Sequence, residues 1–139
     1  MKVLLVNTWC HSLKSPNEPM GLCYLASILR KNKFEVMMID MIIDNLNYKD
    51  VERVVADYDV IGLAIHVPDY LSEIAKFVVK IKTEKNIIIA GGYEPTLNPE
   101  MCMHKIRKLD GIVIGEGEVT FLEILEKIRK GEKWQKLPG

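Results

Sequence analysis

The chain has 139 residues, 48% of them hydrophobic and 27% charged, the composition of a single globular domain able to bury its own core. Its 19 Lys and Arg balance 19 Asp and Glu, so no overall basic field favours nucleic acid or an anionic membrane. No apolar run approaches the roughly 20 residues of a bilayer span, the start is too short for a signal peptide, and a cytoplasmic location is expected.

Residues 3–6 read as a first strand ending at Asn7. Pro19 then opens a helix in which Leu22, Leu25, Ile28 and Leu29 recur at helical spacing. Asn32 stands where a left-handed C-terminal cap is expected. Residues 34–39 make a second strand, 41–47 an irregular stretch, and 48–56 a short helix. Residues 60–65 are almost unbroken in apolar character, the mark of a strand covered on both faces.

Asp69 is placed to cap a helix with Leu71, Ile74, Val78 and Ile81 on its inner side. A fourth strand follows at 87–90, and Asn98-Pro99-Glu100 is a helix start with the asparagine as cap. A fifth strand spans 111–114, and a last helix, about 119–130, buries Phe121, Ile124, Leu125 and Ile128. Residues 131–139 carry no helical stripe and read as a linker after a domain of residues 1–130.

Strands alternating with helices predict the α/β class: a flavodoxin-like (Rossmann-like), doubly wound, five-stranded parallel sheet of order 2-1-3-4-5. In such sheets ligands sit beyond the carboxyl ends of the strands. Two glycine-bearing stretches, Ala90-Gly91-Gly92 and Gly115-Glu116-Gly117-Glu118, lie at those ends, where missing side chains let backbone approach a large ligand.

Several functions of this fold fail on missing parts. A response-regulator receiver needs clustered acids after the first strand, an aspartate after the third and a lysine after the fifth. The chain has Asn7-Thr8-Trp9, Ala64-Ile65-His66 and Gly115-Glu116 there. The loop after the first strand lacks the small, glycine-rich character that cradles a flavin phosphate. No G-x-G-x-x-G follows that strand either, which argues against a dinucleotide. Cys10, Cys23 and Cys102 form no C-x-x-C pair and no disulfide framework, and read as buried or half-buried free thiols.

The series Pro19-x-Gly21-Leu22-x-Tyr24-Leu25-Ala26, Asp59-Val60-Ile61-Gly62-Leu63, Gly91-Gly92-x-x-Pro95-Thr96 and Asp110-Gly111-x-Val113-x-Gly115-Glu116-Gly117-Glu118-x-Thr120-Phe121 resembles the N-terminal cobalamin (vitamin B12)-binding domain of cobalamin-dependent radical SAM proteins. The resemblance implies a corrin over the carboxyl edge of the sheet, with its dimethylbenzimidazole tail threaded beside the first and fourth strands. The implied cofactor-binding residues are Thr8, Trp9 and Cys10 after the first strand, and Ala64, Ile65, His66 and Val67 after the third. Gly91, Gly92, Tyr93, Glu94, Pro95 and Thr96 follow the fourth strand, and Gly115, Glu116 and Gly117 the fifth. Tyr24 and Leu25 read as core or floor.

The chain departs from a related branch in lacking D-x-H-x-x-G, whose histidine binds cobalt, and from many relatives in carrying Glu94 where they have histidine. It also lacks C-x-x-x-C-x-x-C, so a 4Fe-4S cluster and S-adenosylmethionine are expected only in a C-terminal radical SAM domain that the chain does not include. The expectation is therefore a cobalamin-binding domain, non-catalytic alone, of a parent methyltransferase. The alternative is a scaffold or interaction module that has lost the corrin. A wide cleft favours the first, and a cleft filled by Trp9 and Tyr93 the second.

Overall fold

Strands β1 (Lys2–Asn7), β2 (Glu35–Asp40), β3 (Val60–Ala64), β4 (Ile87–Gly91) and β5 (Gly111–Ile112) form one parallel sheet, ordered β2-β1-β3-β4-β5, in the computed structural model, which describes residues 1–8, 19–135 and 137. This is the predicted α/β, flavodoxin-like topology. Strand alternation divides the interior in two. Val3, Leu5, Val60, Ala64 and Ile89 face α1 (Met20–Lys31) and α6 (Gly117–Lys130). Leu4, Val6, Ile61, Leu63, Ile65 and Ile88 face α2 (Tyr48–Val55), α3 (Leu71–Ile81) and α5 (Pro99–Lys105). Among the described residues, no helix is long and apolar enough to cross a membrane.

The amino edge of the sheet is tied by aspartates. The Asp59 carboxylate accepts the Lys2 backbone N–H at 2.7 Å. Asp110 accepts the Ile88 N–H at 2.7 Å and pairs with Lys82 at 2.6 Å, fastening the start of β4 to that of β5. Both acids lie at the edge opposite the glycine loops, so they hold strands in register.

Several local expectations are corrected. Asn32 is not the left-handed residue. Lys33 is, at φ +64, and the Phe34 N–H closes on the Leu29 carbonyl at 3.1 Å while the Lys33 N–H meets Arg30 at 3.0 Å. This is a Schellman closure one residue later than predicted, with Phe34 and Leu29 buried together, while the Asn32 side chain donates to the Ile28 carbonyl.

Asp69 does not cap α3, because Pro68 starts a short 3-10 turn (Pro68–Tyr70) that puts Tyr70 at the cap position. Asn98 precedes α5 as expected, but its side chain donates to Glu94 Oε1 at 3.0 Å instead of capping. A one-turn helix, α4 (Tyr93–Leu97), follows the glycine pair where only loop was expected. Of the thiols, Cys23 is exposed, Cys102 is buried, and Cys10 lies outside the described residues.

Gly131 ends α6 in the left-handed conformation at φ +70, with the Glu132 N–H on the Lys127 carbonyl and its own on Ile128. The chain then folds back on the domain. Trp134 is buried in the α1–α6 cluster, against β5, where a Cβ on Gly111 would stand 2.9 Å from its ring.

Candidate functional site

A cleft of about 490 Å³ opens on the α1–α6 face of the sheet and reaches its carboxyl edge. Its floor is the middle of the sheet: Leu5 on β1, Gly62 and Ala64 on β3, and Ile89 and Gly91 on β4. One wall is the first half of α1, from Pro19 to Leu25, and the other is Val113, Phe121 and the β5–α6 loop. The volume falls within the range typical of small-molecule sites, and so does the mostly apolar lining with a few polar groups at the rim.

Glycines shape this slot in different ways. At Gly62 a Cβ would stand 2.9 Å from Leu5 Cδ2 and 3.2 Å from Phe121 Cζ, so the missing side chain lets the floor close smoothly. At Gly21 and Gly115 a Cβ would meet nothing within 4 Å. A side chain at Gly21 would project into the open cleft, whereas Gly115, at φ +77, holds a left-handed conformation that favours glycine however open the space.

Gly92 adds crowding to a positive φ. It sits at φ +101, ψ −164, with a Cβ position 2.9 Å from the Ile65 carbonyl oxygen, so its own backbone requires glycine. Thr96 braces the two glycine loops, its hydroxyl donating to the Gly92 carbonyl at 2.8 Å and accepting the Gly115 N–H at 3.0 Å.

Of the residues expected at the site, Ala64, His66, Gly91, Gly92, Gly115, Glu116 and Gly117 line this cleft. Thr8 is buried at the edge instead, donating its hydroxyl to the Ala64 carbonyl at 2.7 Å. Ile65 packs on the opposite face of the sheet, since β3 alternates, and Val67 is outside the lining. Tyr93 is 66% exposed and does not fill the cleft. Glu94 and Pro95 are buried in α4, away from the lining. Glu94 acts on Cys102, whose thiol is pushed up to about 11 by burial and then by that charge. Trp9 and Cys10 lie outside the described residues.

Tyr24, expected in core or floor, is exposed, whereas Leu25 does line the cleft. The start of α1, Gly62 and Phe121 were not expected as site residues. A glycine inside an otherwise apolar strand was the available signal for Gly62, because it marks a close approach.

The polar rim is organised around His66, whose Nε2 lies 2.7 Å from Asn7 Oδ1. Asn7 Nδ2 in turn donates to Asp40 Oδ2 at 3.0 Å, and Asp40 Oδ1 accepts the N–H groups of Ile42 and Ile43. Burial holds the His66 imidazole below its ordinary pKa, with the Asp40 charge opposing, so the ring is neutral near pH 7. Glu116 and Glu118 flank the amino end of α6, where the helix dipole favours carboxylates.

Known proteins share this fold. The chain is 30% identical, across its whole length, to the uncharacterized methyltransferase PH0819 of Pyrococcus horikoshii, of which it covers 32%. It superposes on the radical S-adenosylmethionine methyltransferase TsrM from Kitasatospora setae, solved with cobalamin and a [4Fe-4S] cluster, with a TM-score of 0.81 and 22% identity. That match covers 95% of the chain and 25% of TsrM. The cobalamin-dependent S-adenosylmethionine radical enzyme OxsB, solved with aqua-cobalamin, superposes at a TM-score of 0.78 and 24% identity, over 95% of the chain and 19% of OxsB. The B12 binding domain family matches residues 7–125, from the end of β1 into α6. This chain belongs to the B12-binding domain family.

Proposed function

We propose that the slot between α1 and α6 receives the nucleotide tail of a cobalamin while the corrin lies over the carboxyl edge of the sheet. The observation that carries this is an apolar slot whose floor and fringe lack side chains at Gly62, Gly21 and Gly115. In this reading Leu5, Leu25 and Phe121 supply apolar contact to the tail. The backbone of the loops at Gly91-Gly92 and Gly115–Gly117, pinned to each other by Thr96, faces the ring's amides. When bound, cobalamin supplies a carrier for a methyl group, while these residues only bind, orient and shield it.

The parent activity in this proposal is that of a radical SAM methyltransferase, with the iron–sulfur cluster and S-adenosylmethionine held by a partner radical SAM domain. Its support is the length and names of the relatives, since the chain spans about a third of the length of the curated proteins it matches. Mixing the chain with hydroxocobalamin, desalting it and measuring cobalt tests the binding. Cobalt retained near one per chain is the expected result, and none retained overturns the reading.

A further inference from the structure

The Asp40–Asn7–His66 chain settles which His66 nitrogen carries the proton. Asp40 is a carboxylate that already accepts two backbone N–H groups, so only the amide nitrogen of Asn7 can face it. That turns Asn7 Oδ1 toward His66, and an oxygen there requires a donor at Nε2. A neutral ring with its proton on Nε2 has a lone pair on Nδ1. Among the described residues Nδ1 has no hydrogen-bond partner, and His66 lines the cleft.

We propose that Asp40, through Asn7, holds His66 in the Nε2–H tautomer so that Nδ1 accepts a hydrogen bond from an N–H donor on the cofactor, a corrin side-chain amide being the class that fits. The proposal rests on the cobalamin reading for the identity of the donor, but not for the tautomer. His66 touches the ligand, whereas Asn7 and Asp40 are positioning residues. The sequence hides this unit, because its members come from the ends of β1 and β2 and the residues after β3, far apart in the chain.

Asp40→Asn inverts the relay. Its amide would keep accepting the Ile42 and Ile43 N–H groups through Oδ1 but would present N–H where Asn7 Nδ2 now donates. Asn7 must then flip, its own amide nitrogen faces the ring, and the proton moves to Nδ1. Nitrogen-15 NMR of the ligand-free chain at neutral pH should report the Nε2–H tautomer in wild type and the Nδ1–H tautomer in Asp40→Asn, with circular dichroism unchanged. Hydroxocobalamin affinity should fall about tenfold in both Asp40→Asn and His66→Ala, with no change in the visible spectrum of what remains bound.

An Nδ1–H wild-type ring, or no change in Asp40→Asn, overturns the relay whatever the cobalamin result. Full affinity in His66→Ala overturns the contact. A nitrogen-ligated cobalt spectrum that disappears in His66→Ala also overturns it, since the ring would then bind the metal. If the tautomer inverts but wild type retains no cobalamin, the binding reading fails, and the ligand assigned to Nδ1 fails with it.

Discussion

Gly92 and Gly21 sit on the same cleft for opposite reasons, and substitution separates them. An alanine at 92 would hold a conformation that L-residues scarcely adopt and press on the Ile65 carbonyl at 2.9 Å. Gly92→Ala should therefore cost at least about 2 kcal/mol, read as a lower midpoint in urea. At 21, in the first turn of α1, the backbone is ordinary and the space open. Gly21→Leu should leave stability equal or higher by up to about 1 kcal/mol, yet abolish cobalamin retention by filling the slot.

His66 makes a further prediction at the residue scale. Its folded pKa lies below the ordinary 6.5, so the unfolded chain takes up the proton first as pH falls. The stability from its neutral form is present above pH 6.5 and is lost as pH drops from there through the folded pKa. Thermal midpoints between pH 7.5 and 5 should fall more steeply for wild type than for His66→Gln.

At the scale of elements, the strands and long helices were legible because apolar periodicity and burial agree along them. What escaped was decided by chain reversals and partners elsewhere. The left-handed residue after α1 is Lys33 and not Asn32, because the turn is fixed by Phe34 packing back on Leu29. The capping box at α2 was missed, although Asn47 accepts the Lys49 N–H and Asp50 reaches back to the Asn47 N–H. Residues 131–139 read as a linker because one tryptophan makes no stripe. Trp134 is nonetheless buried against Gly111 in the α1–α6 cluster. Trp134→Ala should cost about 3 kcal/mol in denaturant unfolding, and a loss within a few tenths would mean the segment is merely laid on the surface.

For the whole molecule, parallel order and the two-sided core place the carboxyl ends of all five strands at one edge and leave the α1–α6 face split by a slot. The glycine loops that flank it could be found in the sequence. The slot itself could not, since it depends on Leu5, Gly62 and Phe121 meeting across the sheet. Thr96 and Glu94 likewise stand in one short stretch, yet one braces the cleft and the other is buried away from its lining.

The account stands on the claim that the slot holds the nucleotide tail, and one comparison tests it most directly. Visible spectra and retention would be recorded for hydroxocobalamin and for cobinamide, which lacks the tail. The account predicts cobalamin held with its base detached from cobalt, and cobinamide held at least about tenfold more weakly, the loss of one good set of apolar contacts. Cobalamin bound with its base still on cobalt, or cobinamide held equally well, would contradict it.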